Sequence, residues 1–79
     1  MLKEKIFNHL RDFHFAKGHL WRASQYLNGF CVKLNPVEHR EFKNTMLKLC
    51  EDGFFTIEGP DDLPSYRLTE KGESALYKE

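Results

Sequence analysis

Residues 35–55, NPVEHREFKNTMLKLCEDGFF, constrain this chain more than any other stretch, because they carry both ends of one helix and the entry to the next element. Asn35 can cap the first orphan amides, Pro36 suits the first helical position, and Glu38 stands where its side chain reaches back to the cap amide. Gly53 supplies the stop. Between these ends Phe42, Met46, Leu49 and Cys50 recur at spacings of three and four, which puts them on one stripe that must be buried. The opposite side carries Val37, Arg40, Glu41, Asn44 and Lys48, with Lys43 and Leu47 on its flanks. That face is mostly polar and net basic.

After Gly53 the period changes from that of a helix to that of a strand. Phe55 and Ile57 alternate with Thr56 and Glu58, and past GPDDLPS the alternation resumes with Tyr66 and Leu68 around Arg67. Two strands joined by a loop holding Gly59, Pro60 and Pro64 predict a β-hairpin, with a loop too long for a two-residue turn. Thr69 can cap a last helix, EKGESALYKE, with Ala75 and Leu76 inward. Ahead of residue 35, Leu2, Ile6, Leu10 and Phe13, with Phe7 beside them, predict an amphipathic helix over 2–15, broken by Lys17 and Gly18. Residues 19–28, HLWRASQYLN, admit two readings: a short helix ending near Gly29, the favoured one, or a short strand at Leu20 before a helix from Ser24. The connector FCVKLNP is apolar enough that Phe30, Val32 and Leu34 are expected to pack on the core.

Seventy-nine residues fit one domain, in which about 60 to 65% of the unfolded chain's surface is buried. A hydrophobic content of 41% with 14% aromatic residues is too apolar for a disordered chain. No apolar run approaches the roughly 20 residues a membrane-spanning helix needs, and the start, MLKEKIFNHL, lacks a secretory pattern, so a cytoplasmic protein without membrane contact is expected. Cys31 and Cys50 fit no paired-ligand spacing and are expected as small reduced core residues. The spacing of His9, His14, His19 and His39 matches no usual zinc pair, so neither a metal nor another cofactor is expected. No nucleophile elbow, phosphate-cradling glycine loop or placed acid–base pair occurs, which argues against an enzyme.

Formal net charge is zero, but it is unevenly laid out. Residues 1–48 hold nine Lys or Arg against four Asp or Glu, a balance of +5, and residues 49–79 hold three against eight, a balance of −5. If the first half presents one continuous surface, it can attract phosphates although the whole chain is neutral.

The order helix, helix, helix, strand, loop, strand, helix, together with LKLCEDGFFTIEG and YRLTEKGESAL, resembles a winged helix-turn-helix domain of the small bacterial regulators of the multiple-antibiotic-resistance and phenolic-acid-response types. Here NGFCVKLNP replaces the family's short turn before the third helix. The resemblance implies an α+β fold with a three-helix core, a two-stranded β-hairpin wing and a C-terminal helix. It implies double-stranded DNA as partner, a homodimer, and a role in transcription regulation. Its third helix would enter the major groove with Arg40, Lys43, Asn44 and Lys48 facing DNA, and Arg67 is the candidate contact from the wing. Arg can grip guanine O6 and N7, Asn can do the same at adenine, and Lys serves phosphates. Glu41 fits either a cytosine amino group or an ion pair with a base such as Lys48.

Glu58, Asp61 and Asp62 surround the wing loop, and bringing it to phosphates would cost on the order of 1 kcal/mol per close like-charged pair in water. The wing is therefore expected to stay off the DNA backbone and to meet a partner subunit or protein. The same acidity keeps a second function open, a winged-helix protein-interaction module that binds no DNA. Phe7, Phe13, Phe42, Phe55 and Tyr66 have periodic reasons to be core, whereas Trp21 is either a dimer or partner contact or a cover for the seam with the first helix.

Overall fold

In the computed structural model, which describes residues 2–77, the chain forms four helices and one three-stranded antiparallel sheet, an α+β arrangement. Helix α1 (Leu2–Asp12) buries Ile6 and Leu10 fully, with Leu2 and Phe7 leaning on the same core. It ends three residues short of the predicted 2–15, because His14 takes φ 56°, the left-handed region. The His14 amide donates to the Arg11 carbonyl and the Phe15 amide to the Leu10 carbonyl, both at 3.0 Å, which closes the helix with a Schellman motif. This reversal turns Phe13, expected inside, to 64% exposure, and sends Phe15 back against the core.

The short helix favoured over residues 19–28 is replaced by strand β1 (Leu20–Trp21) followed by helix α2 (Ala23–Gly29). Strand β3 (Ser65–Leu68) explains the change. Its free edge takes Leu20 opposite Arg67 and Trp21 opposite Tyr66, and the Leu68 amide extends the ladder to the His19 carbonyl at 3.0 Å. The other edge of β3 pairs with β2 (Phe55–Glu58), Phe55 opposite Leu68 and Ile57 opposite Tyr66. The predicted two-stranded hairpin is thus two strands of three, in the order β1-β3-β2. Phe55, Tyr66 and Leu68 are buried as their alternation requires, but Ile57, on an edge strand, is half exposed.

Trp21 is 1% exposed and stands at the centre of the core instead of at a partner surface. Its ring meets Tyr26, Phe30 and Phe42 edge-on at centroid distances of 5.5, 5.6 and 5.9 Å. Such edge-to-face pairs add about 0.5–1.5 kcal/mol each beyond the area they bury. In the connector, a 3-10 turn at Cys31–Lys33 spaces successive side chains about a third of a turn apart. Phe30 and Cys31 face inward, so Val32, expected to pack down, is exposed.

Helix α3 (Pro36–Glu51) runs as its sequence punctuation predicts and buries Phe42, Met46 and Leu49. Gly53, at φ 88°, ends it with the motif seen at α1: its amide donates to the Cys50 carbonyl and that of Phe54 to the Leu49 carbonyl, both at 3.0 Å. Helix α4 (Glu70–Tyr77) is capped by Thr69, whose Oγ accepts from the Gly72 amide at 3.0 Å and donates to the Gly53 carbonyl at 2.6 Å. Lys71 Nζ donates to the Asp52 carbonyl at 2.6 Å, and the Thr69 amide donates to the Phe54 carbonyl at 3.1 Å. A β-carbon on Gly72 would lie 2.2 Å from the Phe54 carbonyl oxygen and 2.6 Å from Leu68 Cδ1, so α4 approaches this closely only because residue 72 is glycine. The stretches LCEDGFF and LTEKG, which carry the resemblance, therefore meet in one joint between the end of α3 and the start of α4.

Candidate nucleic-acid interface

The presentation of α3 begins at its cap. Asn35 Oδ1 accepts from the Glu38 amide at 2.9 Å and Glu38 Oε1 accepts from the Asn35 amide at 3.3 Å, which satisfies two otherwise orphan donors. Glu38 also takes a hydrogen bond from Lys5 Nζ at 2.5 Å, tying the start of α3 to α1. That bond from Lys5 holds the Glu38 carboxyl below the usual carboxylate range. With the buried stripe packed inward, Arg40, Asn44 and Lys48 lie on the opposite side of α3, and all three are exposed. The helix has 16 residues, which at 1.5 Å each is roughly 24 Å, enough to cross a groove of about 12 Å.

Among the described residues neither Arg40 nor Asn44 makes an internal side-chain hydrogen bond. Lys48 Nζ stands 3.9 Å from Asp52 Oδ1, an exposed pair of the kind that contributes under about 1 kcal/mol. Glu41, also exposed, has no ion pair among the described residues, and Lys48 turns to Asp52 instead of to it. Glu51 shares the rim, so the face mixes both signs of charge.

Two of the five candidate residues are engaged elsewhere. Lys43 Nζ donates to the Asp61 carbonyl at 3.1 Å and so holds the β2–β3 loop against α3. The same loop is fixed from beneath, where the buried Tyr26 hydroxyl donates to the Pro64 carbonyl at 2.7 Å. Arg67 alternates with the inward Tyr66 and Leu68, which puts it on the sheet face away from the helices. Its guanidinium forms a bidentate pair with Glu58, Nε to Oε2 at 2.6 Å and Nη2 to Oε1 at 3.1 Å, and Nη1 donates to the Gly18 carbonyl at 2.8 Å. That hydrogen-bonded pair lowers the Glu58 carboxyl pKa and raises that of Arg67. The structure brings Arg40, Asn44 and Lys48 together and does not bring Arg67 to them.

One residue joins the face without having been singled out in the sequence. A groove of about 460 Å³ between the start of α1 and α3 is bordered by Lys3, Asn44, Lys48, Glu41 and Asp52. Lys3 Nζ lies 5.4 Å from the Phe54 ring centroid and 5.6 Å from that of Phe7, a cation–π placement that carries its charge toward α3. No local pattern marks Lys3, since its position depends on how α1 packs against α3. The rest of the basic half is not one continuous surface. Lys5 is paired with Glu38, Arg11 Nη1 donates to the Leu76 carbonyl at 2.8 Å, and Lys17 Nζ lies 4.0 Å from Glu70.

Among the described residues no group of three or more His, Cys, Asp or Glu gathers as metal ligands would, and no helix is long and apolar enough to cross a membrane. No protein-family model, curated protein or solved structure matches the chain.

Proposed function

We propose that this chain is a winged-helix DNA-binding domain that presents α3 to the major groove and acts in the cytoplasm as a transcription regulator. The observation that carries the proposal is the shared outward projection of Arg40, Asn44 and Lys48, with Arg40 and Asn44 making no internal side-chain bond among the described residues. Arg40 and Asn44 are the base readers, and Lys48 and Lys3 serve phosphates. The β2–β3 loop, acidic and held to α3 through Lys43, stays off the DNA backbone. A single copy making two phosphate contacts, through Lys48 and Lys3, would lose about 1.8 logarithmic units of affinity per decade of salt, and a homodimer twice that. Pairing would also set two half-sites about one helical turn apart.

A second reading, a protein-interaction module that binds no DNA, is favoured by the acids Glu41, Glu51 and Asp52 on and beside the α3 face and by the acidic loop next to it. Fluorescence anisotropy with a mixed-sequence duplex at two salt concentrations separates the two. DNA reading gives binding that weakens steeply with salt and is lost in a folded Arg40→Glu/Lys48→Glu variant. Indifference to DNA at low salt sinks that reading and leaves the interaction module.

A further inference from the structure

Away from α3, a cavity of about 360 Å³ opens between the end of α1 and α2. It is inside the range of clefts that hold small molecules, about 300–1,000 Å³. Four rings line it, those of His9, Phe13, Phe15 and Trp21, and Ser24, Gln25 and Asn28 border it with hydroxyl and amide groups. Phe15 and Trp21 stand edge-to-face at 6.5 Å, and Phe13 lies 4.7 Å from His9, so rings present faces and edges toward one space. The largely exposed Phe13 is held there by the left-handed turn at His14 and not by core packing, which leaves an aromatic surface unpartnered beside the opening.

The lining contains no Lys, Arg, Asp or Glu. Burial pushes the His9 imidazole below its ordinary pKa and the Lys33 charge adds to this, while Asp12 opposes it, so the neutral form of His9 is favoured. An ion entering this space would lose water and gain no opposite charge, which is unfavourable. A neutral ring loses little and gains ring contacts on several sides. Polar capacity at the border is also available. Gln25 spends its Oε1 on the Arg22 amide at 2.9 Å, which leaves its NH2 group, and among the described residues Ser24 and Asn28 make no internal side-chain bond.

We infer that this cavity binds an uncharged, flat heteroaromatic small molecule of one or two rings, stacked against the exposed Phe13, bordered by Phe15 and Trp21, and hydrogen-bonded along one edge by Ser24, Gln25 and Asn28. The inference stands apart from DNA reading, because no residue of the cavity belongs to α3.

Trp21 is the single tryptophan of the chain and borders this cavity, so its emission responds to a molecule bound there. The probes are adenine and indazole as neutral heterocycles, with benzoate and benzylammonium as charged rings of similar size. Adenine or indazole is expected to change Trp21 emission saturably, with the charged rings at least about tenfold weaker because no opposite charge meets them in the lining. Phe13→Ala, at an exposed position whose loss leaves the core intact, should weaken the neutral probes about tenfold. Amide chemical-shift changes in the unaltered chain should cluster at residues 9–15 and 21–29. An emission change that is equal for charged and neutral rings, is untouched by Phe13→Ala, or is absent up to the probes' solubility overturns the inference. So does emission that tracks protein concentration instead of probe, since a second copy would then fill the cavity.

Discussion

Helices α1 and α3 end with the same two backbone bonds around a left-handed residue, but that residue is His14 in one and Gly53 in the other. An L side chain in this region crowds the following carbonyl oxygen, at roughly 1–2 kcal/mol, and glycine escapes the crowding. The surroundings differ in the same sense. Helix α4 touches both ends: its start meets α3's end through backbone, the Thr69 hydroxyl and the Lys71 ammonium, with no room for a methyl group on Gly72. Its last turn meets α1's end through long side chains, the Tyr77 hydroxyl donating to the Phe15 carbonyl at 2.6 Å and Arg11 reaching the Leu76 carbonyl. One geometry thus occurs in a close-packed joint and again in an open one, and tolerance of change depends on the packing and not on the hydrogen-bond pattern.

The comparison can be broken most directly at Gly72. Gly72→Ala forces backbone against backbone and should cost about 3 kcal/mol in urea unfolding, the upper range for overpacking; a loss under about 1 kcal/mol would mean that the joint yields as easily as the open end. Next in size, Gly53→Ala should lose about 1–2 kcal/mol, while His14→Gly should gain about 0.5 kcal/mol, relief of crowding less the extra freedom of glycine in the unfolded chain. Shifts of the same sign would remove the distinction between the ends.

The smallest effect is a pH dependence at α1's end. Burial lowers the folded pKa of His9 below the ordinary 6.5, so between the two values the unfolded chain binds more protons. Stability is then fully present above about pH 6.5 and declines as pH falls below it. Thermal midpoints from pH 7.5 to 5.5 should fall for the unaltered chain and less for His9→Gln. The deficit caused by Gly53→Ala should stay constant across that range, since the titrating group sits at the other helix end.

What the sequence disclosed was what short-range chemistry controls. Asn35, Pro36 and Glu38, within four residues, start α3 and Gly53 stops it, and Thr69 caps α4 as its position predicts. What it concealed depends on distant partners. Trp21 belongs to a strand only because β3 offers an edge 45 positions later, Tyr66 being its partner. Phe13 kept helical spacing, but His14 reversed the chain just after it, and histidine gives no warning of that as glycine does. At the candidate interface, Arg40, Asn44 and Lys48 were legible from helical period alone. Lys43 and Arg67 were legible as bases but not as bases already occupied, because Asp61 and Gly18 approach only in three dimensions.

The bond from Lys43 to the Asp61 carbonyl makes a single cation answer for two properties at once. Any polyanion drawing on that ammonium competes with a main-chain oxygen, so anion affinity along this flank of the helix and the anchoring of residues 59–64 are thermodynamically linked. Charge reversal at Lys43 would therefore report a mixture of the two, and Arg40 and Lys48 are the cleaner places to measure attraction alone.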